Sequence, residues 1–456
     1  MHHDTFGLPT VLSDRRSVTQ WNAAQLGVLS HAAVTPTHLM ATLESAPEFA
    51  MGWAVKGMLY LLLGRRELVA TVQEAQASAH AAVKMIAPTW REQKYVDALD
   101  VWMKGRPSQS VAILEEILTR FPEDALAMKL SHSVRFVLGD AVGMRASLER
   151  VLPAYGTDHP AHGYILGCHA FSLEETGEYT RAENAGRQAL WTAPDDAWGL
   201  HAVAHVHDMT GNSAAGLKWL DGQEKAWMHC NNFRFHVWWH KALMHLDQGQ
   251  VDAVFALYDE EIRKEKSDDY RDISNATSLL MRLELDGHNV GDRWEELADL
   301  SAARTEDGSL IFADLHYLLA TAGGRREEAT QAYLRRIARD SQQGGSDANE
   351  RFANPGLQAA HGLHHFGEGE FEQAFTCLVG ARDAMQLAGG SHAQRDVFER
   401  ITIDAGIRAG RLDTAERILN ERTARRASHD DAYASARRSL IAAGRDVVGA
   451  NRVPAQ

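Results

Sequence analysis

Two neighbouring segments of the sequence concentrate histidine and tryptophan. The first reads DAWGLHAVAHVHDMTG and the second FHVWWHKALMHLDQG, and together they carry six histidines and three tryptophans. Each contains an HxxxH pair, His201 with His205 and His236 with His240, the spacing at which one helix offers two imidazoles to a single metal ion. Such residues support three chemistries: a zinc or other divalent metal site, an acid–base pair, or binding of an anionic small molecule.

The HxxxH spacing alone is a weak signal, because it recurs by chance in chains rich in histidine. The sequence has no HExxH motif, so no glutamate is fixed between the candidate ligands. The carboxylates of Asp208 and Asp314 are the candidates to complete a metal site. No GxSxG elbow, P-loop, dinucleotide-binding glycine motif or kinase signature is present.

The composition describes an ordinary globular chain. Of the 456 residues, 45% are hydrophobic and 24% are charged, which argues against general disorder. Leucine, alanine, arginine and glutamate are abundant and prolines number only 11, a balance that favours helix. The net charge of −14 disfavours a general surface for nucleic acid or for an anionic membrane, so we expect neither partner.

The cysteines and the amino terminus predict a cytoplasmic location. Cys168, Cys230 and Cys377 are widely spaced and form no CxxC, which excludes a disulfide framework and a cysteine-rich zinc site. The first residues, MHHDTFGLPTVLSDRR, lack the apolar segment of a secretory signal. No stretch of 18 uncharged apolar residues occurs, so we expect a protein that is neither secreted nor membrane-spanning.

A short polar turn containing glycine recurs along the chain. Ten such glycines are separated by 34 to 45 residues. Regular spacing of this kind is typical of helical repeats, in which a helix ends at a glycine of positive φ and a second helix runs back. The turn glycines are Gly64, Gly105, Gly139, Gly177, Gly211, Gly249, Gly287, Gly324, Gly369 and Gly410.

Small residues at fixed offsets from these glycines predict close packing of the paired helices. Examples are Ala182, five residues after its glycine, and Ala204 and Ala242, seven residues before theirs. The segment TGEYTRAENAGRQALWTAPDDAW is similar to a tetratricopeptide repeat. The prediction is an all-α fold: a TPR-like α-solenoid of about ten antiparallel helix pairs that forms an irregular right-handed superhelix. Residues 1–50 would form an amino-terminal helical cap, residues 51–456 a single repeat domain, and 340–356 an exposed loop.

Counting back from the turn glycines assigns the histidines to faces. Residues 13, 10, 9, 6 and 3 positions before a glycine share one helical face. In tetratricopeptide arrays the first helix of each pair lines the concave groove, so this face is the predicted inner wall. It carries Trp198, His201, His205 and Asp208 from one repeat, His236, Trp239 and His240 from the next, and Asp314 from a later one. His169, His207, His245, His316 and His361 fall at other offsets, where we expect packing.

The histidine-rich segments, together with LIFADLHYLLA and GGSHAQRDVF, resemble the tetratricopeptide repeat protein 38 family. The resemblance covers nearly the whole chain, is strongest from about 160 to 410, and departs at Lys241 and His245. It implies the helical-repeat fold and little chemistry. The matching positions are Asp196, Ala197, Trp198, His201, His205, His207, His236, Trp239, His240, Asp314, His316, Gln394, Arg395, Asp396 and Phe398.

Three functions are compatible with this sequence. The first is a TPR-like binding protein whose concave face carries a histidine–tryptophan pocket for a small molecule or peptide. The second is a hydrolase or lyase that uses the same histidines, with or without zinc or another divalent metal. The third is a self-associating scaffold, and a homodimer is compatible with all three. The candidate catalytic or metal-binding residues are His201, His205, His236 and His240; the candidate ligand-binding residues are Trp198, Trp239, Asp208, Asp314 and Arg395.

Overall fold

The structure, a computed structural model that describes residues 2–450, consists of helices joined mostly by short turns. In that range the strands are β1, His2–His3, and β2, Pro9–Thr10, which pair antiparallel. Successive helices pack against each other, as short connections require. The predicted all-α fold of TPR-like helix pairs is therefore confirmed. Contacts divide the chain into two units, and each is described by itself.

The first unit takes the chain up to Val203 together with the segments Gly222–Arg234 and Gly344–Ala348. The first ten helices of the chain lie in this unit: α1 Arg15–Leu29, α2 Thr35–Ser45, α3 Ala50–Leu61, α4 Val69–Met85, α5 Trp90–Met103, α6 Pro107–Arg120, α7 Ala125–Leu138, α8 Ala141–Val151, α9 His162–Glu175 and α10 Tyr179–Thr192.

The second unit takes Ala204–Asp221, Phe235–Gln343 and the chain from Asn349 onward. The remaining helices are α11 Ala197–Met209, α12 Ser213–Leu220, α13 Phe233–Asp247, α14 Val251–Leu257, α15 Tyr270–Leu285, α16 Arg293–Ala302, α17 Ile311–Gly323, α18 Glu327–Ser341, α19 Asp347–Arg351, α20 Leu357–Gly367, α21 Phe371–Arg382, α22 His392–Arg408, α23 Leu412–Arg425 and α24 Ala432–Ala450. This division does not test the predicted cap over residues 1–50 or the predicted single domain over residues 51–456. Both remain predictions.

Local sequence signals set the ends of many of these helices. Helix α7 begins after Asp124, whose carboxylate accepts a hydrogen bond from the Ala127 N–H, and ends at Gly139 with a φ of 72°. Helix α22 begins with the capping box expected from its sequence, Ser391 at the N-cap and Gln394 three residues on. These boundaries are therefore marked by residues within a few positions of each helix end.

Nine of the ten turn glycines have the predicted positive φ, and Gly324 is the exception. Its φ is −84°, and the positive φ of this turn falls on Arg325 instead. A Cβ atom on Gly324 would lie 2.3 Å from the Cβ of Ala298 in α16. Glycine is thus required here by the close approach of α16 and α17, and the interpretation of Gly324 as a left-handed cap was wrong.

The segment predicted as an exposed loop, 340–356, is largely ordered into structure. Helix α18 continues to Ser341, α19 follows, and Phe352 and Pro355 are buried. Asp347 anchors the segment within the first unit, since its carboxylate accepts hydrogen bonds from the Ser108 N–H at 2.7 Å and from Arg106 at 3.2 Å. The loop prediction is correct for the exposed turn at 342–345 and wrong for 347–356, because polar, glycine-rich composition does not reveal an anchoring partner far away in the sequence.

A second inserted segment completes the first unit at the turn between α1 and α2. The Asn231 N–H donates to the His31 carbonyl at 2.8 Å, and the Ala33 N–H donates to the His229 carbonyl at 3.0 Å. His31 itself has a φ of 58°, an unusual value for a residue other than glycine. Residues 222–234 are therefore part of the fold of the first unit.

Candidate functional site

Two helices of the second unit bring three histidines together. His205 lies on α11, and His236 and His240 occupy successive turns of α13. The small residues Ala204 and Ala242 beside them are fully buried, in keeping with their predicted role as packing positions. We call His205, His236 and His240 the histidine cluster.

The ligand atoms of the histidine cluster lie within 4.8 Å of one another. The Nε2 atoms of His236 and His240 are 3.1 Å apart, and the ring centroids of His205 and His240 are 4.2 Å apart. All three side chains are buried, with His236 the most exposed at 9%. An open groove wall would leave such residues in solvent, so the cluster is an interior site.

Trp239 forms one side of the histidine cluster. Its ring is nearly parallel to that of His236 at 5.2 Å and meets the ring of His240 edge-on at 4.8 Å. The guanidinium of Arg282 lies 5.6 Å from the same indole. The indole therefore fixes the planes of two imidazoles through ring contacts on both.

Burial keeps the imidazole of His236 neutral. Desolvation lowers its pKa to about 3, the charge of His205 acts in the same direction, and a hydrogen bond to Asn275 acts against both. At neutral pH a ring nitrogen of His236 therefore carries a lone pair. A neutral imidazole is the form of histidine that binds a metal ion.

The side-chain amides of Asn275 and Gln394 hold His236 in place from outside the histidine cluster. Gln394 accepts a hydrogen bond from the Ser391 N–H through Oε1 and donates through Nε2 to Asn275 Oδ1 at 3.2 Å. Because a backbone N–H can only donate, this contact fixes which end of the Gln394 amide is the donor, and hence that Asn275 presents its oxygen. Outer hydrogen bonds of this kind orient metal-binding histidines.

Asn275 is not among the site residues predicted from the sequence. It lies on α15 in the run DISNATSLL, where Ser274, Asn275, Thr277 and Ser278 are all buried. Four short polar residues on the buried part of one helix are a usable signal, since buried polar groups need partners. The ring of His392, at the start of α22, lies 5.8 Å from that of His205 and was also not selected.

His201 and Trp198 belong to the first unit, although His201 lies one turn before His205 on α11. Both pack among aromatic rings: Trp198 is 4.6 Å from Phe171, and His201 is 5.1 Å from Phe233. Both side chains are buried. The aromatic neighbours account for the tryptophan, which the repeat spacing had placed on a groove wall.

Asp208, Asp314 and Arg395, the three charged residues expected at the site, bind other partners. Asp208 accepts a hydrogen bond from Arg426 at 3.0 Å, and Asp314 pairs with Arg336 at 2.7 Å. Arg395 donates to the carbonyl oxygen of Gly389 at 3.3 Å. Helical offset placed these side chains on the same face as the histidines, but Arg426 and Arg336, which come later in the chain, bind the two carboxylates. Asp208 and Asp314 therefore do not complete the grouped set of ligands found among the described residues.

Most of the histidines expected to pack do so. His207, His169 and His316 are buried, and the ring of His316 hydrogen bonds to the Phe312 carbonyl at 2.7 Å. His245 is half-buried and pairs with Gln250 at 2.5 Å near the end of α13. His361 is also half-buried. His245 and His361 are thus less enclosed than their offsets indicated.

Comparisons with known proteins assign no family to the chain. No family model matches the sequence. The chain is similar to a human IFIT1 dimer solved with PPP-AAAA, at 14% identity and a TM-score of 0.41 over 94% of this chain and 95% of the other. It is also similar to a human IFIT1 dimer solved with m7Gppp-AAAA, at 15% identity and a TM-score of 0.42 over 92% of this chain and 97% of the other.

In residues 2–450 we find no helix with the length and apolar character needed to cross a bilayer.

Proposed function

We propose that the protein is a helical-repeat binding protein whose second unit holds a divalent transition-metal ion on His205, His236 and His240. The observation that supports this most directly is the gathering of three buried imidazoles with their ligand atoms within 4.8 Å. Imidazole is a good ligand for zinc, copper, nickel and iron. A buried ion, unlike a peptide, also suits side chains that solvent scarcely reaches.

The geometry is close to what a metal needs. With zinc–nitrogen bonds of 2.0–2.1 Å, two ligands of a tetrahedral ion are separated by about 3.3 Å. The 3.1 Å separation between the Nε2 atoms of His236 and His240 is near this value, and a ligand atom of His205 lies within 4.8 Å of theirs. The neutral state of His236 removes the competition from protons.

Three histidines leave a coordination position for a further ligand. A small molecule is the favoured occupant, bound through an oxygen or nitrogen atom on the metal, with the indole of Trp239 among the surrounding apolar surfaces. The alternative of a bound peptide requires a side chain that reaches the same buried position. A second candidate function is a hydrolase or lyase, since the same open position on a metal can activate water.

Metal content tests the proposal. We expect the purified full-length protein to hold about one divalent ion per chain by elemental analysis, and Co²⁺ in its place to give the visible absorption of a four-coordinate site. His236→Ala and His240→Ala should lose the ion. His245→Ala, on the same helix and outside the cluster, is the matched control and should retain it. Metal content that is unchanged in both cluster variants contradicts the proposal.

His201→Ala distinguishes an open site from a closed one. Retention of the metal in this variant supports three protein ligands and a free position. Loss of the metal would contradict the free coordination position and would favour a structural role over ligand binding. Turnover of any hydrolysable substrate should be tested only in a protein of known metal content.

Other parts of the proposal rest on composition and on family resemblance. A cytoplasmic location is supported by the three cysteines, all of which are free. The net charge of −14 supports the absence of nucleic acid among its partners. We also propose membership of the tetratricopeptide repeat protein 38 family and assembly as a homodimer, which light scattering of the purified chain tests directly.

A further inference from the structure

The first unit contains a buried lysine that lacks a counterion. Lys129 on α7 is 3% exposed. Its Nζ atom is 3.0 Å from His31 Nε2 and 3.7 Å from Cys168 Sγ, and it lies 4.6 Å from the ring centroid of Trp198. Within residues 2–450 no carboxylate is at ion-pair distance from Lys129. A buried ammonium group is normally paired, because desolvation of an unpaired charge is costly.

Asp196 interacts electrostatically with Lys129 but does not serve as its counterion. Asp196 is fully buried, and its Oδ2 accepts a hydrogen bond from the Gly199 N–H at 3.1 Å. Burial raises the pKa of Asp196 to about 8, although the charge of Lys129 acts in the opposite direction. At neutral pH this carboxyl is mostly protonated. Burial thus weakens the counter-charge that Asp196 offers to Lys129, and the two groups form no ion pair.

Two further polar groups lack partners beside Lys129. His132 follows it by three residues on α7, so both side chains lie on one face of the helix. The ring of His132 is 5.8 Å from that of Trp198 and meets it edge-on. Both ring nitrogens of His132 and Nε1 of Trp198 are buried without a hydrogen-bond partner among the described residues.

All three groups can donate a hydrogen bond. The indole Nε1–H of Trp198 can only donate, and so can a lysine ammonium. Burial and the charge of Lys129 hold the pKa of His132 well below its usual value, so its ring is neutral and carries one N–H. A buried water could accept some of these hydrogen bonds, but it would leave the charge uncompensated. An anion with two acceptor oxygens answers both needs.

We propose that Lys129, His132 and Trp198 form a binding site for a small organic carboxylate in the first unit. Charge attraction to Lys129 selects an anion, and the donors on His132 and Trp198 match the two oxygens of a carboxylate. Phe171 and Phe233, 4.6 Å and 5.3 Å from the Trp198 ring, supply apolar surface for the rest of the molecule. This site uses none of the residues of the histidine cluster, so it is independent of the metal proposal.

Two pairs of probes test the site on the full-length protein. Acetate and benzoate carry a carboxylate, whereas acetamide and benzamide have nearly the same shape without the charge. At constant ionic strength we expect at least one carboxylate to raise the melting temperature in a saturable manner and to bind by calorimetry. The two amides should have no such effect. Equal binding of a carboxylate and its amide, or no binding of either carboxylate, overturns the proposal.

Variants locate the binding. Lys129→Met removes the charge at similar volume and should weaken binding about tenfold or more, whereas Lys129→Arg keeps the charge and should bind better than Lys129→Met. The matched control is Lys241→Met, because Lys241 also lies over an indole, that of Trp238 at 5.3 Å, but is paired with Asp221. Unchanged affinity in Lys129→Met overturns the proposal. If that variant does not fold, Trp198→Phe, which deletes one donor, should still weaken binding several-fold.

Discussion

At the scale of single residues, the proton positions on buried histidines follow from fixed donors nearby. The amide of Gln394 is oriented by the Ser391 N–H, and it in turn orients Asn275 against His236. Ser391 and Gln394 thereby hold in place the amide that hydrogen bonds to the ring of His236. A single amide can in this way control whether the ring is ready to bind a metal.

Replacing Asn275 should therefore alter metal affinity more than stability. We expect Asn275→Leu to weaken metal binding by about 10- to 100-fold, because His236 loses the acceptor that fixes its ring. Asn275→Asp keeps an acceptor oxygen and should retain most of the affinity. Competition with a chelator of known affinity measures both values. Equal affinity in Asn275→Leu and the wild type would remove Asn275 from the site.

His316 gives a prediction for the effect of pH. Burial lowers its pKa to about 4, and the charge of Arg282 adds to this effect, while the unfolded chain has an ordinary value near 6.5. Between these two values the unfolded state binds more protons, so this group makes the fold less stable as the pH falls from about 6.5 to 4. By pH 5 the loss is about 2 kcal/mol.

The variant His316→Gln isolates this contribution. Glutamine can still donate to the Phe312 carbonyl, but it does not titrate in this range. Urea unfolding at pH 7 and pH 5 should show a smaller drop in the free energy of unfolding for the variant than for the wild type. An identical drop would mean that His316 is already protonated in the folded protein, or that it is not buried.

At the scale of helices, turns depend on glycine for two different reasons. Gly249 has a φ of 68° and open space where a Cβ would lie, so it supplies conformation. Gly324 has an ordinary φ and no space, because Ala298 of the neighbouring helix lies against it. The two positions look the same in the sequence and have different physical requirements.

Alanine substitution should separate these two requirements. Gly249→Ala should cost about 1 kcal/mol through backbone strain, whereas Gly324→Ala should cost about 1–3 kcal/mol through overpacking. The double variant Gly324→Ala with Ala298→Gly restores the space and should recover much of the loss. Ala298→Gly cannot rescue Gly249→Ala. Chemical denaturation of the wild type, the two single variants and the two double variants checks these values. If Ala298→Gly does not restore stability to Gly324→Ala, the packing argument is contradicted.

The predictability of this fold follows from how local each signal is. Turn glycines, the capping box at Ser391 and the i, i+4 histidine pairs involve residues within a few positions, so the sequence predicts them directly. The bond between Gln394 and Asn275 joins residues 119 positions apart, and the partners of Asp208 and Asp314 are likewise distant or on later helices. Helical offsets place a side chain on a face but do not reveal which arginine will meet it there.

At the scale of the whole molecule, the two units are not consecutive in the chain. Residues 222–234 and 344–348 belong with the part of the chain before Val203, and they are held there by backbone and side-chain hydrogen bonds. Helices α11 and α13 each contribute residues to both units. No single cut of the chain therefore yields a complete first unit.

A fragment that ends at Val203 should consequently fold poorly. It lacks the residues that pair with His31 and Ala33 and the carboxylate that caps the Ser108 N–H. We expect helical far-ultraviolet circular dichroism with weak near-ultraviolet signals and rapid proteolysis, in contrast to the full-length protein. A fragment as resistant to protease as the intact chain would show that the inserted segments are dispensable.

The anchoring of Asp347 against Arg106 and Ser108 also has a consequence for synthesis on the ribosome. Proteins of several units usually fold from the amino terminus as the nascent chain emerges. Here the earliest-made helices cannot acquire their last partner until translation has passed residue 348, when much of the second unit already exists. The first unit is therefore complete only late in synthesis, and its unfinished helices stay exposed to chaperones for most of the elongation time.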